Sequence, residues 1–247
     1  MARAKTGTGW RRLAAGIVVV LGATAVTVTS LPKWDSLPKW DSVEEAPDTA
    51  TALAAAHRQG EAVTVADLTT PTRTVAARPD GTLTAELSTG PVRAHRDGRW
   101  VGLDPALVEG PGGTLVPKAA NVDVALSGGG STPLLRFGVP GKSAAMTWPA
   151  ELPAPVVDGS TATYREVLPG VDIVLTTQQT GVTQHLVVKD AKAAAALERV
   201  EFGLVADGLT VRATDAGGLN AVDAGGEVAL ATPPTIMWDA SGRQAKV

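Results

Sequence analysis

The sequence predicts a mainly β protein: an antiparallel β-sandwich of one large or two small lobes. A short N-terminal helix and an exported signal segment precede it. Three observations carry this. Short runs alternating apolar and polar residues recur at about 8–12-residue spacing, as in sandwiches and barrels. Turn pairs such as Asp97-Gly98 and Pro169-Gly170 fall between the runs. Helical periodicity is confined to two alanine-rich stretches. With 44% hydrophobic and 19% charged residues, the chain of 247 is no disordered polyampholyte. It has no cysteine, which excludes a disulfide scaffold, a thiol nucleophile and thiolate metal sites.

Residues 1–30 read as a signal peptide or signal anchor. Arg3, Lys5, Arg11 and Arg12 stand there without an acid. An apolar run follows at 13–28, and basic-then-apolar is the order of an export signal. The run is shorter than the about 20 residues a bilayer span needs, which favours a cleaved signal over an anchor. Ala23-Thr24-Ala25 fits a cleavage site ending at Ala25, with Val28-Thr29-Ser30 as an alternative. Without those four cations, 18 basic residues face 25 acidic ones, a net of −7. Such a mature chain is a poor partner for nucleic acid. A membrane is met only through the N-terminal segment, if it stays uncleaved.

Residues 31–60 read as a low-complexity linker. Leu31-Pro-Lys-Trp34-Asp-Ser36 repeats as Leu37-Pro-Lys-Trp40-Asp-Ser42. Trp34 and Trp40, with Trp100 further on, are candidate contacts for a sugar or cell-wall ligand through ring stacking. A slipped duplication in a tolerant linker is the preferred reading of the repeat. Asp48-Thr49 predicts the cap of a helix over 50–59, with Gly60 as its stop.

Two β-rich lobes follow, 61–150 and 151–247, with a soft boundary in the proline-rich stretch 148–160. In the first, strands are expected near 62–66, 72–75 and 82–87. A hairpin around Asp97-Gly98 joins 92–96 to 99–101, since that pair suits a type I′ turn. Further strands are expected near 122–126, 134–139 and 145–148. The second lobe has strands near 162–167, 171–175 and 182–188, then a helical segment at 191–199. Strands near 200–204, 209–212, 219–222 and 227–230 close the set.

No catalytic, cofactor-binding or metal-binding residue is assigned. Gly141-Lys142-Ser143 lacks the upstream glycine of a phosphate loop, and Pro140 removes an amide there. There is no Gly-x-Ser-x-Gly elbow and no His-Glu-x-x-His. His57, His95 and His185 are scattered. Glu166, Asp172, Asp104 and Glu151 are carboxylates that glycoside cleavage could use by type alone. Asp207-Gly208, Asp215-Ala-Gly-Gly218 and Asp223-Ala-Gly-Gly226 suit calcium in principle, but are ordinary turn chemistry.

Two stretches carry a resemblance. One runs from Ala52-Leu-Ala-Ala-Ala-His57 through Pro79-Asp-Gly-Thr82 and Pro91-Val-Arg93 to Gly98-Arg-Trp100-Val101 and Asp104. The other holds Trp148-Pro149, Leu152-Pro153, Asp158-Gly159 and Ala162-Thr-Tyr164-Arg-Glu-Val-Leu-Pro-Gly-Val-Asp172-Ile-Val174, then Leu186-Val-Val-Lys189. Together, over about residues 50–240, the chain resembles the N-terminal β-rich region of large secreted actinobacterial proteins. Those proteins carry laminin-G-like, DNRLRE or RHS/YD-repeat segments. The resemblance implies a non-catalytic structural or presentation module at the cell surface. It also implies partners among other domains of a larger chain or cell-surface components, and it transfers no catalytic residue. Relatives continue well beyond this length, so a truncated or free-standing leader module is expected. The alternatives are a carbohydrate- or wall-binding module, the leader of a polymorphic toxin, or a fragment of a secreted glycoside hydrolase.

Overall fold

The computed structural model describes residues 13–20, 44–139 and 141–246. The fold is mainly β with few helices, arranged in several largely antiparallel sheets of sandwich-like type. Two compact units are present. Among described residues, one comprises 44–105 and 118–121; the other comprises 13–20, 106–117 and 122–246. The proline-rich stretch 148–160 lies within the latter.

The strands and helices, in chain order, begin with β1 (Leu13–Val20). The smaller unit then contributes β2 (Glu45–Ala46), α1 (Thr49–Gln59), β3 (Val63–Val65), β4 (Arg73–Ala77), β5 (Leu83–Leu87), β6 (Arg93–Arg96) and β7 (Arg99–Gly102). Helix α1 forms where the sequence expects it. The Asp48 carboxylate accepts from the Thr51 amide at 2.9 Å, satisfying one of the first turn's unpaired donors. Gly60 ends the helix at φ 74°, a left-handed backbone that glycine adopts freely, and its amide donates to the Ala56 carbonyl. Ala52, Ala55 and Ala56 fall on one face at helical spacing and are buried. Against them lie Val63, Val65, Val75 and Ala77, forming a small core. Sheet β2-β3-β4-β5 ends in β5, whose Leu83 and Leu87 are 46% and 77% exposed. The face shared by Leu83, Ala85 and Leu87 is therefore open.

β6 and β7 form the predicted hairpin. Asp97 and Gly98 sit at φ 48° and 83°, as a type I′ turn requires, and His95 pairs across the ladder with Trp100.

The chain continues with β8 (Asp104–Glu109), β9 (Leu115–Ala119), β10 (Asp123–Leu126), β11 (Leu135–Val139), β12 (Lys142–Thr147), β13 (Val156–Asp158), β14 (Thr161–Leu168), β15 (Val171–Gln178) and β16 (Gly181–Val188). Then come α2 (Ala191–Ala196), β17 (Gly203–Asp207), β18 (Thr210–Ala213), β19 (Leu219–Val222), β20 (Val228–Thr232), β21 (Ile236–Trp238) and β22 (Gln244–Lys246). One sheet runs β17-β12-β11-β10-β9-β8. The other runs β13-β14-β15-β16-β1-β20-β19-β18, with β21 on β1 and β22 on β21. Seven strands escape the sequence pattern: β1, which falls in the apolar run read as part of an export signal, and β2, β8, β9, β13, β21 and β22. Pro105 and Pro117 lie inside β8 and β9, and proline cannot donate to a ladder. The predicted helix over 191–199 is shorter, stopping at Ala196.

Both sheets feed one core. Leu126, Leu135 and Phe137 come from the shorter sheet; Tyr164, Ile173, Leu175 and Val182 come from the longer. Along β15, Val171, Ile173, Leu175 and Thr177 are buried while the residues between them are half-buried, the period of two that a pleated strand imposes. The Tyr164 hydroxyl donates to the Ser127 carbonyl at 2.6 Å, so its polar tip is satisfied inside the core. Trp148 is buried with its ring tilted on Phe202, centroids 5.4 Å apart.

Candidate functional site

Trp34, Trp40 and Ala25 lie outside the described residues. Trp100 lies within them and lines an open cleft of about 760 Å³ in the smaller unit. The hairpin turn places it. The tight Asp97-Gly98 reversal sets β7 directly opposite β6, so His95 meets the Trp100 ring edge-on at 5.1 Å. The indole N–H donates to the Ala66 carbonyl at 3.1 Å, and the Trp100 amide donates to the Glu45 carboxylate at 3.3 Å. Both polar handles of the residue are thus held by protein, and what remains for a ligand is ring surface. Glu45, Asp67, His95 and Arg99 share the cleft. Polar groups of both charge signs beside an aromatic ring suit a hydroxyl-rich ligand. His95 was legible as the cross-strand partner of Trp100. Glu45 and Asp67 arrive from distant segments, and no local signal marks them.

The carboxylates considered for hydrolysis are distributed differently. Asp104 faces Lys118 at 3.8 Å, and Glu151 accepts from Ser131 at 3.4 Å. Glu166 and Asp172 do come together, around Lys189. Glu166 has φ 53°, rare for a side-chain-bearing residue, where the β14–β15 register shifts between Tyr164 and Leu168. Asp172 accepts from the Glu166 amide at 2.7 Å, and Glu166 accepts from the Gly170 amide at 2.8 Å. Lys189 from the end of β16 pairs with both acids, at 2.7 Å to Asp172. The Tyr-Arg-Glu-Val-Leu-Pro-Gly-Val-Asp motif is thus the closure of a bulged hairpin. The hydrogen bond from Lys189 holds the Glu166 carboxyl below its ordinary value, whereas a glycosidase acid needs its own raised. The same acids, Asp172 first, hold the Lys189 ammonium above its ordinary value.

Asp223 shows the same use of acid. Its carboxylate takes Lys142 at 2.7 Å and the Gly225 and Glu227 amides at 2.9 Å each, and these contacts lower its pKa, Lys142 most. Lys142, in the sequence that only resembles a phosphate loop, is therefore an ion-pair partner that ties β12 to the β19–β20 turn. Among the described residues, no three His, Asp or Glu side chains gather in a way that could hold a metal ion, and no helix is long and apolar enough to cross a membrane.

His185 lies on β16 with its ring edge-on to Trp238, centroids 5.4 Å apart. Burial lowers its pKa from the ordinary 6.5. Stability from this group is fully present above 6.5 and is lost as pH falls below that value towards the folded pKa. The urea midpoint is expected to fall between about pH 7.5 and about pH 5.5, and His185→Gln is expected to flatten that slope. An unchanged slope in the variant would assign the pH dependence elsewhere.

No family model, no curated protein and no solved structure matches the chain.

Proposed function

We propose that the protein is a non-catalytic exported β module with a structural or presentation role at the cell surface, the N-terminal part of a larger RHS- or LamG-type protein. The observation that carries this reading is the use made of its acids. Asp48 caps a helix, Asp80 and Asp239 close turns, and Glu166, Asp172 and Asp223 lock strands through lysines. Carboxylates spent on holding backbone are poor acids and bases for turnover. The sequence resemblance supports the setting: export through the N-terminal segment, and partners among neighbouring domains or surface components. The purified chain, offered polysaccharide, ester and peptide substrates, is expected to turn over none; turnover of any would overturn the reading.

A second reading has its own observation, the Trp100 cleft. In it the smaller unit binds a saccharide of the cell wall, with the indole face as the platform. Trp100→Ala is expected to weaken retention on peptidoglycan or chitin about tenfold, and Trp100→Phe to keep most of it. Retention equal in all three proteins would remove the cleft from consideration.

A further inference from the structure

In the larger unit the chain passes from β17, the last strand of one sheet, through Gly208 into β18, the last strand of the other. Beside this crossing lies a half-open cavity of about 270 Å³. Phe137, Met146 and Phe202 line one part, and Val211, Ala221 and Leu230 another. Thr232 is the one polar side chain of the lining, and its hydroxyl already accepts from the Leu219 amide at 3.0 Å. Leu204 and Leu219 line the cavity and are 46% and 38% exposed.

Water gains little here, because a buried water needs two to four polar partners. A peptide or a sugar gains little either, since its polar groups would be desolvated against carbon at a cost of about 1–3 kcal/mol each. Hydrocarbon meets neither cost. A dry cavity of ~150 Å³ lined by Leu, Ile and Phe takes a benzene ring, and this one is nearly twice that size. Met146 adds an adaptable wall. We propose that this cavity is a binding site for a medium-length acyl chain whose polar head stays in solvent beside Leu204 and Leu219.

The probe is N-phenyl-1-naphthylamine, whose fluorescence rises on entering an apolar site, with 1-decanol as competitor. The full chain is expected to bind the probe saturably, and decanol to displace it. Ala221→Leu fills the cavity and is expected to weaken binding at least about tenfold without lowering the melting temperature. Leu219→Asp sets a charge at a partly exposed position that folding tolerates, and is expected to weaken binding likewise; it decides the matter should Ala221→Leu fail to fold. Absence of saturable binding to the native chain, or binding equal in both folded variants, overturns the proposal. So does a native dimer that Ala221→Leu converts to monomer without altering probe affinity, since the cavity would then be a contact between copies.

Discussion

Tyr164→Ala is expected to lower the stability of the larger unit by about 3–5 kcal/mol, the range for removing a fully buried aromatic ring. Tyr164 is 0% exposed, and the chain has no other tyrosine. Its ring packs among residues of both sheets, and its hydroxyl reaches the Ser127 carbonyl. The alanine variant loses the transfer energy of the ring, the cavity energy and the hydrogen bond together. Tyr164→Phe keeps the ring and leaves the carbonyl without that donor, at about 1–3 kcal/mol. Urea unfolding separates the two, provided the slope is unchanged. Domains of this size have about 5–15 kcal/mol in total, so the alanine variant is expected to unfold partly at ordinary temperature. Two variants sharing the native midpoint would show that the two sheets are not joined at this residue.

Gly128→Ala is expected to have the next largest effect. A methyl group there would stand 1.8 Å from the Gly113 carbonyl oxygen. A flexible side-chain tip could swing away, but this atom is main chain, so one loop has to move. Overpacking of this kind costs about 1–3 kcal/mol or more. Gly90→Ala is the comparison: an added methyl meets nothing within 4 Å and the backbone is not left-handed. That variant is expected to match the native protein. Equal melting temperatures for all three would refute the close approach of the two loops.

Much of the fold was legible because the relevant signals are local. Asp48 and Gly60 mark both ends of α1 within a dozen residues. Asp97-Gly98 specifies its hairpin through the backbone geometry of two residues. The alternation along β15 names its own buried face. Strands β8 and β9 were hidden because Pro105 and Pro117 interrupt the donor pattern by which strands are recognised. The Trp100 cleft was half legible. His95 follows from the ladder, but Glu45 and Asp67 are joined to Trp100 only by folding. The apolar cavity left no trace in the sequence, since Phe137, Ala221 and Leu230 read as ordinary core residues on ordinary strands.

The open leucines of β5 bear on how closely these molecules can be crowded. β5 is the last strand of its sheet, with an outer row of main-chain groups and with Leu83 and Leu87 in water. Main-chain pairing is indifferent to sequence, and the end strand of a sheet is a template for adding another strand. A charged residue in place of Leu87 is the kind of gatekeeper that natural sheets use to keep such edges apart, and it could be introduced without disturbing the small core around Val63 and Val75.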